Sequence, residues 1–161
     1  MKTLILAIAV LSFATNAAHS WQANVDGPDV FDKVKVVATE GNARESLVVQ
    51  CDSDSEFMFA YIFRKKEFED TPDSPAKLFL KWSDASPVEL DANLRGWNDN
   101  YGGIVVSGRD PMIVSVIAGI RDAKDKIQVG MEILGNKESA TFSSKGSKKA
   151  MTTVFEKCKL Q

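Results

Sequence analysis

Three carboxylates at alternating positions, Asp52, Asp54 and Glu56, form the densest acidic cluster beside apolar runs in this chain. Paired carboxylates can hydrolyse a glycosidic bond without histidine, which makes a carboxylate-dependent hydrolase one reading. The same alternation matches the first half of a calcium loop. Such a loop needs Gly at its sixth position and Glu at its twelfth, and those positions hold Phe57 and Phe63. A solvated turn between two strands is therefore the expectation. A second candidate, Ser143-Ser144-Lys145-Gly146-Ser147-Lys148-Lys149, sets hydroxyls beside amines, as Ser-Lys catalysis does. That chemistry needs a buried lysine of depressed pKa. Three lysines at an exposed turn fit a helix start with solvated charges, or a contact for an anion. The third candidate is the loop Trp97, Asn98, Asp99, Asn100 and Tyr101, whose aromatic shoulders make it a contact surface. These five are the candidate binding residues. The competing reading buries both aromatics as anchors. The Asn-Asp-Asn tip is too sparse for a metal site.

Much familiar chemistry is excluded by one feature of the N-terminus. Lys2 followed by the apolar run Leu4 to Phe13, and then by small residues, reads as a secretory signal peptide over residues 1–20. Cleavage after Ser20 or after Ala17 satisfies the small-x-small rule. The chain's single histidine, His19, is removed by the first cut and left on a frayed terminus by the second. Ser-His-Asp and Cys-His mechanisms are then unavailable, as is the His-rich site usual for catalytic zinc. No catalytic residue, metal or cofactor is assigned. Loss of Lys2 moves the formal charge from −2 to −3, too mild to imply a nucleic-acid partner. Arg64-Lys65-Lys66 leads directly into Glu67, Glu69 and Asp70, which reads as a solvated loop. No Gly-rich phosphate loop or nucleotide fingerprint occurs.

Residues 21–161 form one expected domain, and no later apolar run reaches the ~18 residues a membrane helix needs. Two cysteines, Cys51 and Cys158, fall within it. In an exported protein they are expected to pair. The bridge would close a loop of more than a hundred residues, for which chain entropy gives about 4.7 kcal/mol.

The elements that must position these residues follow from periodicity. β-branched and aromatic runs predict strands at Val34–Thr39, Ser46–Asp52, Glu56–Arg64, Lys77–Trp82, Val88–Leu94 and Gly103–Ser107. Glu40-Gly41-Asn42 reads as a turn, Lys65–Pro75 as a loop, and Arg95–Gly102 as a segment dense in turn residues. Asp110-Pro111 opens a helix to about Ala123, with Ile113, Val116, Ile117 and Ile120 forming its apolar stripe. A hairpin follows, Ile127–Leu134 and Glu138–Ser143, turning at Gly135-Asn136. Ser147 then caps a last helix whose stripe is Met151, Val154, Phe155 and Cys158. Cys158 therefore faces a core containing the Cys51 strand.

Phe142, Gly146, Ser147 and Ala150 match a Phe-x-x-x-Gly-(Ser/Leu)-x-x-Ala pattern that opens the last helix. With Trp21, Trp82 and a terminal Cys158, the chain resembles exported bacterial proteins of the invasion-associated locus B and type VI secretion-associated TagO/VasI groups. The resemblance implies an envelope or secreted accessory protein and carries over no catalytic residue. The resulting expectation is an α+β domain: mostly antiparallel β-sheet, as a sandwich or open barrel, with one mid-chain helix and a C-terminal helix. Its expected function is non-enzymatic, in the periplasm or outside the cell, with a protein partner in a bacterial envelope or secretion process. An inhibitor of a hydrolase and the carboxylate hydrolase are the alternatives.

Overall fold

The computed structural model describes residues 20–52, 54, 56–64, 73–108 and 111–159. Most of the signal segment, most of the Lys65–Pro75 loop and the Asp110 cap lie outside these residues. Among the described residues, nine strands run in chain order as β1 (Gln22–Asp26), β2 (Lys35–Gly41), β3 (Glu45–Asp52), β4 (Phe57–Arg64), β5 (Ser74–Trp82), β6 (Val88–Asn98), β7 (Tyr101–Gly108), β8 (Lys126–Ile133) and β9 (Asn136–Ser143). The helices are α1 (Pro111–Asp122) and α2 (Ser147–Lys157). All strand pairs are antiparallel, in the order β1-β2-β3-β4-β7-β6-β5-β8-β9. The sheet curls into a half-barrel, so the open-barrel form of the expectation holds and the sandwich does not.

Alternation decides which face is covered. Along β6, Leu90, Ala92 and Leu94 are buried while Glu89, Asp91 and Asn93 are exposed. The helices pack on the inner face. Ile113, Val116, Ile117 and Ile120 of α1 all join the core, as the stripe required. Helix α1 starts at Pro111, whose missing N–H is no loss in a first turn. Gly119 lets α1 lie directly on the Trp82 indole, where any Cβ would overlap the ring. Helix α2 buries Ala150, Met151 and Val154, and Cys158 follows at its C-cap. The Cys51–Cys158 disulfide is formed, with Cα atoms 6.2 Å apart and both residues buried.

The two ends of the curl meet at Trp21. Its backbone N–H donates to the Lys145 carbonyl and its indole Nε1–H to the Ser143 carbonyl, both at 2.9 Å. Across the interior, Tyr61 of β4 meets Phe142 of β9 edge to face, ring centroids 6.0 Å apart. The motif of Phe142, Gly146, Ser147 and Ala150 is thus a packing junction. Gly146 adopts φ +80°, and a Cβ there would sit 2.8 Å from the Trp21 carbonyl oxygen.

Four local expectations are corrected. Strand β1 was not foreseen, because WQANVD has too few β-branched residues to mark it. The Arg95–Gly102 segment is mostly strand, leaving only Asp99 and Asn100 as the turn. The β8–β9 turn is Leu134-Gly135, both at positive φ, not Gly135-Asn136. Finally, Gly146 occupies the N-cap of α2 and no side chain caps it. Ser147 is instead the first helical residue, turned inward at 1% exposure with no hydrogen-bond partner for its hydroxyl among the described residues.

Candidate functional site

The β6–β7 hairpin is shaped by glycine on both of its strands. Gly96 faces Gly102, and the register shifts between Gly96 and Asn98. On the inner face the Phe63 ring lies 3.1 Å from where a Gly102 Cβ would stand. On the outer face the Trp97 ring lies 3.4 Å from the corresponding point at Gly103. Rings thus lie on bare backbone from both sides. This explains why a segment rich in turn-type residues forms strands: glycine supplies room for aromatic packing instead of a bend.

The tip is self-supported. Asn98 Oδ1 accepts the N–H groups of Asn100 and Tyr101 at 2.9 and 3.0 Å, an Asx turn. The Tyr101 hydroxyl donates to the Ala43 carbonyl at 2.8 Å, tying the hairpin to the β2–β3 turn. That turn is built alike, with Asn42 Oδ1 accepting from Arg44 N–H at 2.7 Å. Of the five expected binding residues, Asn98 is therefore occupied with the turn and Tyr101 is anchored. Trp97 stays 39% exposed, and Asp99 and Asn100 are exposed at the tip. Of the two aromatic shoulders, Tyr101 is anchored and Trp97 is exposed.

Tyr101 also packs against a second apolar cluster, on the sheet face turned away from the helices. Val48, Ala60, Ile62 and Val105 form it, and Val37, Met58 and Tyr101 pack against it. Val48, Ala60 and Val105 are direct cross-strand neighbours on β3, β4 and β7. Periodicity contained this signal. Strand β4 is apolar or aromatic at every position before Arg64, and β3 is continuously apolar over Leu47–Val49, the mark of strands covered on both faces.

The acidic cluster is a turn. Asp52 Oδ1 accepts the N–H groups of Asp54 and Glu56 at 3.0 and 3.1 Å. Asp54 forms an ion pair with Lys33 at 2.7 Å. That hydrogen bond, with the Asp54 charge, holds the exposed Lys33 amine above its ordinary pKa. Among the described residues, no cluster of Asp, Glu, His or Cys has the geometry to hold a metal ion. The serine-lysine run starts a helix. Ser143 Oγ accepts Lys145 N–H at 3.0 Å, Ser144 Oγ donates to the Asp125 carbonyl at 2.9 Å, and Lys145, Lys148 and Lys149 are exposed.

Two features were not read from the sequence. A cleft of about 370 Å³ opens where β2 and β9 approach, bordered by Glu40, Glu45, Ser143 and Lys145. Glu40 is only 4% exposed there, and its Oε1 accepts the Ser143 N–H at 3.4 Å. Beside it, Tyr61 donates to Glu45 Oε2 at 3.0 Å. Burial, then the charges of Glu45 and Glu138, push the Tyr61 phenol well above its usual range. The other feature is the β1–β2 loop. Asp29 Oδ1 accepts the N–H groups of Phe31 and Lys33 at 2.8 and 2.9 Å, and the loop presents Val30 at 91% exposure and Phe31 at 77%. Gly27-Pro28-Asp29 is a readable turn signal, but the two apolar residues after it gave no hint of their exposure.

Comparison of the chain with protein-family models, curated proteins and solved structures gave no match.

Proposed function

We propose that this protein is a non-enzymatic binding or accessory protein of a bacterial envelope or secretion process, working in the periplasm or outside the cell. The observation that carries the reading is the β6–β7 tip. A rigid hairpin, closed by Asn98 and pinned through Tyr101 to Ala43, holds Trp97 exposed over the bare backbone of Gly103. Preorganised aromatics of this kind anchor protein contacts at low entropic cost. The buried Cys51–Cys158 disulfide supports an oxidising compartment. No helix of the described residues is long and apolar enough to cross a membrane. The motif of Phe142, Gly146, Ser147 and Ala150 supports the likeness to the exported locus B and TagO/VasI groups, with packing as its role.

The test is affinity capture from envelope extracts with wild-type protein and with Trp97→Ala. The expected result is one stoichiometric protein partner, identified by mass spectrometry, whose affinity falls by at least about tenfold in the variant. Undiminished binding by Trp97→Ala removes the hairpin from the site. Glycan turnover abolished by Asp54→Asn would replace the reading with a hydrolase.

A further inference from the structure

We propose that the outer edge of β1 is a contact between two copies of this chain, related by a two-fold axis at Asn24. Strand β1 ends the sheet, with only β2 as a strand neighbour among the described residues. The Trp21 N–H already points away from β2, to Lys145. By the two-residue period of an antiparallel ladder, the N–H groups of Ala23 and Val25 point the same way. Gln22, Asn24, Val25 and Asp26 are exposed, so this edge is reachable, and an open edge is a template for another strand.

Charge identifies the occupant. At the start of β1 a cleft of about 310 Å³ runs between the strand and α2, lined by Trp21, Gln22, Ala23, Gly146, Lys149 and Thr153. Lys145 and Lys149 make that end basic. At the other end, the loop presenting the exposed Val30 and Phe31 carries Asp29 and Asp32, and Asp26 and Asp52 line a cleft with Asp29. Of the two nearby cations, Lys33 pairs with Asp54, and Lys35 stands opposite Asp26 in the ladder. An edge that is basic at one end and acidic at the other is complementary to its own antiparallel copy. Pairing Ala23 with Val25 of the second copy brings the acidic loop of each, with its Phe31, to the basic cleft of the other. The same contact is thereby made twice, as an isologous interface requires. Anionic membranes are disfavoured as an alternative surface for Phe31, because the aspartates around it repel them.

Sedimentation velocity of the purified protein over a range of concentrations tests this. The expected result is a reversible dimer that weakens as salt rises. Val25→Pro, Phe31→Asp, Lys145→Glu/Lys149→Glu and Asp26→Lys/Asp32→Lys should each raise the dissociation constant at least about tenfold. Far-UV dichroism and an intact disulfide show which variants are folded. Mixing the two charge-reversed proteins should restore a dimer that neither forms alone, a result general destabilisation does not produce. A wild-type monomer up to about 1 mM at low salt overturns the proposal. So does a dimer indifferent to Val25→Pro, or charge-reversed proteins that fail to recombine.

Discussion

Removal of the Cys51–Cys158 bridge has a magnitude that can be worked from the fold. The cysteines are 107 positions apart, and the chain-entropy relation for a loop of that size gives about 4.8 kcal/mol at room temperature. A domain of this size has a total stability of about 5–15 kcal/mol, so the bridge carries a large share of it. Cys51→Ala/Cys158→Ala is the suitable variant, because serine would leave two hydroxyls in a site where both residues are fully buried. With a urea dependence of about 2 kcal/mol/M, the unfolding midpoint should fall by roughly 2 M. Loss should concentrate in α2, whose end the bridge fastens to β3. Amide exchange at Val154 and at position 158 should accelerate more than exchange at Leu80 or Val129 in the middle of the sheet. A double variant within about 1 kcal/mol of the oxidised protein would refute the reasoning. It would mean that the unfolded chain is already compact, or that α2 is held by packing alone.

Gly119→Ala should cost about 1–3 kcal/mol, because its methyl enters the Trp82 ring; thermal unfolding measures it, and the same substitution in a Trp82→Ala background should cost much less. Gly146→Ala should cost at least about 1 kcal/mol, through the positive φ and the close Trp21 carbonyl, whereas Gly135→Ala tests the φ contribution alone because open space surrounds it. The raised Tyr61 pKa sets a pH dependence. Above pH 10, the unfolded phenol's ordinary value, the unfolded chain releases its proton while the folded chain keeps it, so stability falls as pH rises. Urea unfolding at pH 8 to 11 should show that decline, and Tyr61→Phe should flatten it; an unchanged slope would exclude the Tyr61 phenol as its source.

Local sequence carried most of the elements, since their periodicities are imposed by water on one face and core on the other. Ile113, Val116, Ile117 and Ile120 defined the α1 stripe, and alternation from Leu78 to Leu80 and from Leu90 to Leu94 defined half-exposed strands. The cysteine pairing followed from compartment and helix phase, without knowledge of the topology. Gly96 and Gly102 misled, because a glycine that bends a chain and one that admits an aromatic ring are identical in sequence. Ser147 misled for the same kind of reason: its type favours a cap, but burial beside Ala150 and Met151 turned it inward and left Gly146 to begin the helix.

Sequence by itself therefore determined which residues could share a face, because that depends only on the repeat of helix or strand. Tertiary structure alone decided strand order, with β7 beside β4 and β5 between β6 and β8. It also decided that Trp21 joins the ends of the curled sheet, and that Phe31 is exposed while Tyr61 is buried. Those outcomes depend on which distant surfaces meet, and strand pairing and burial are non-local, so no window of neighbouring residues contains them.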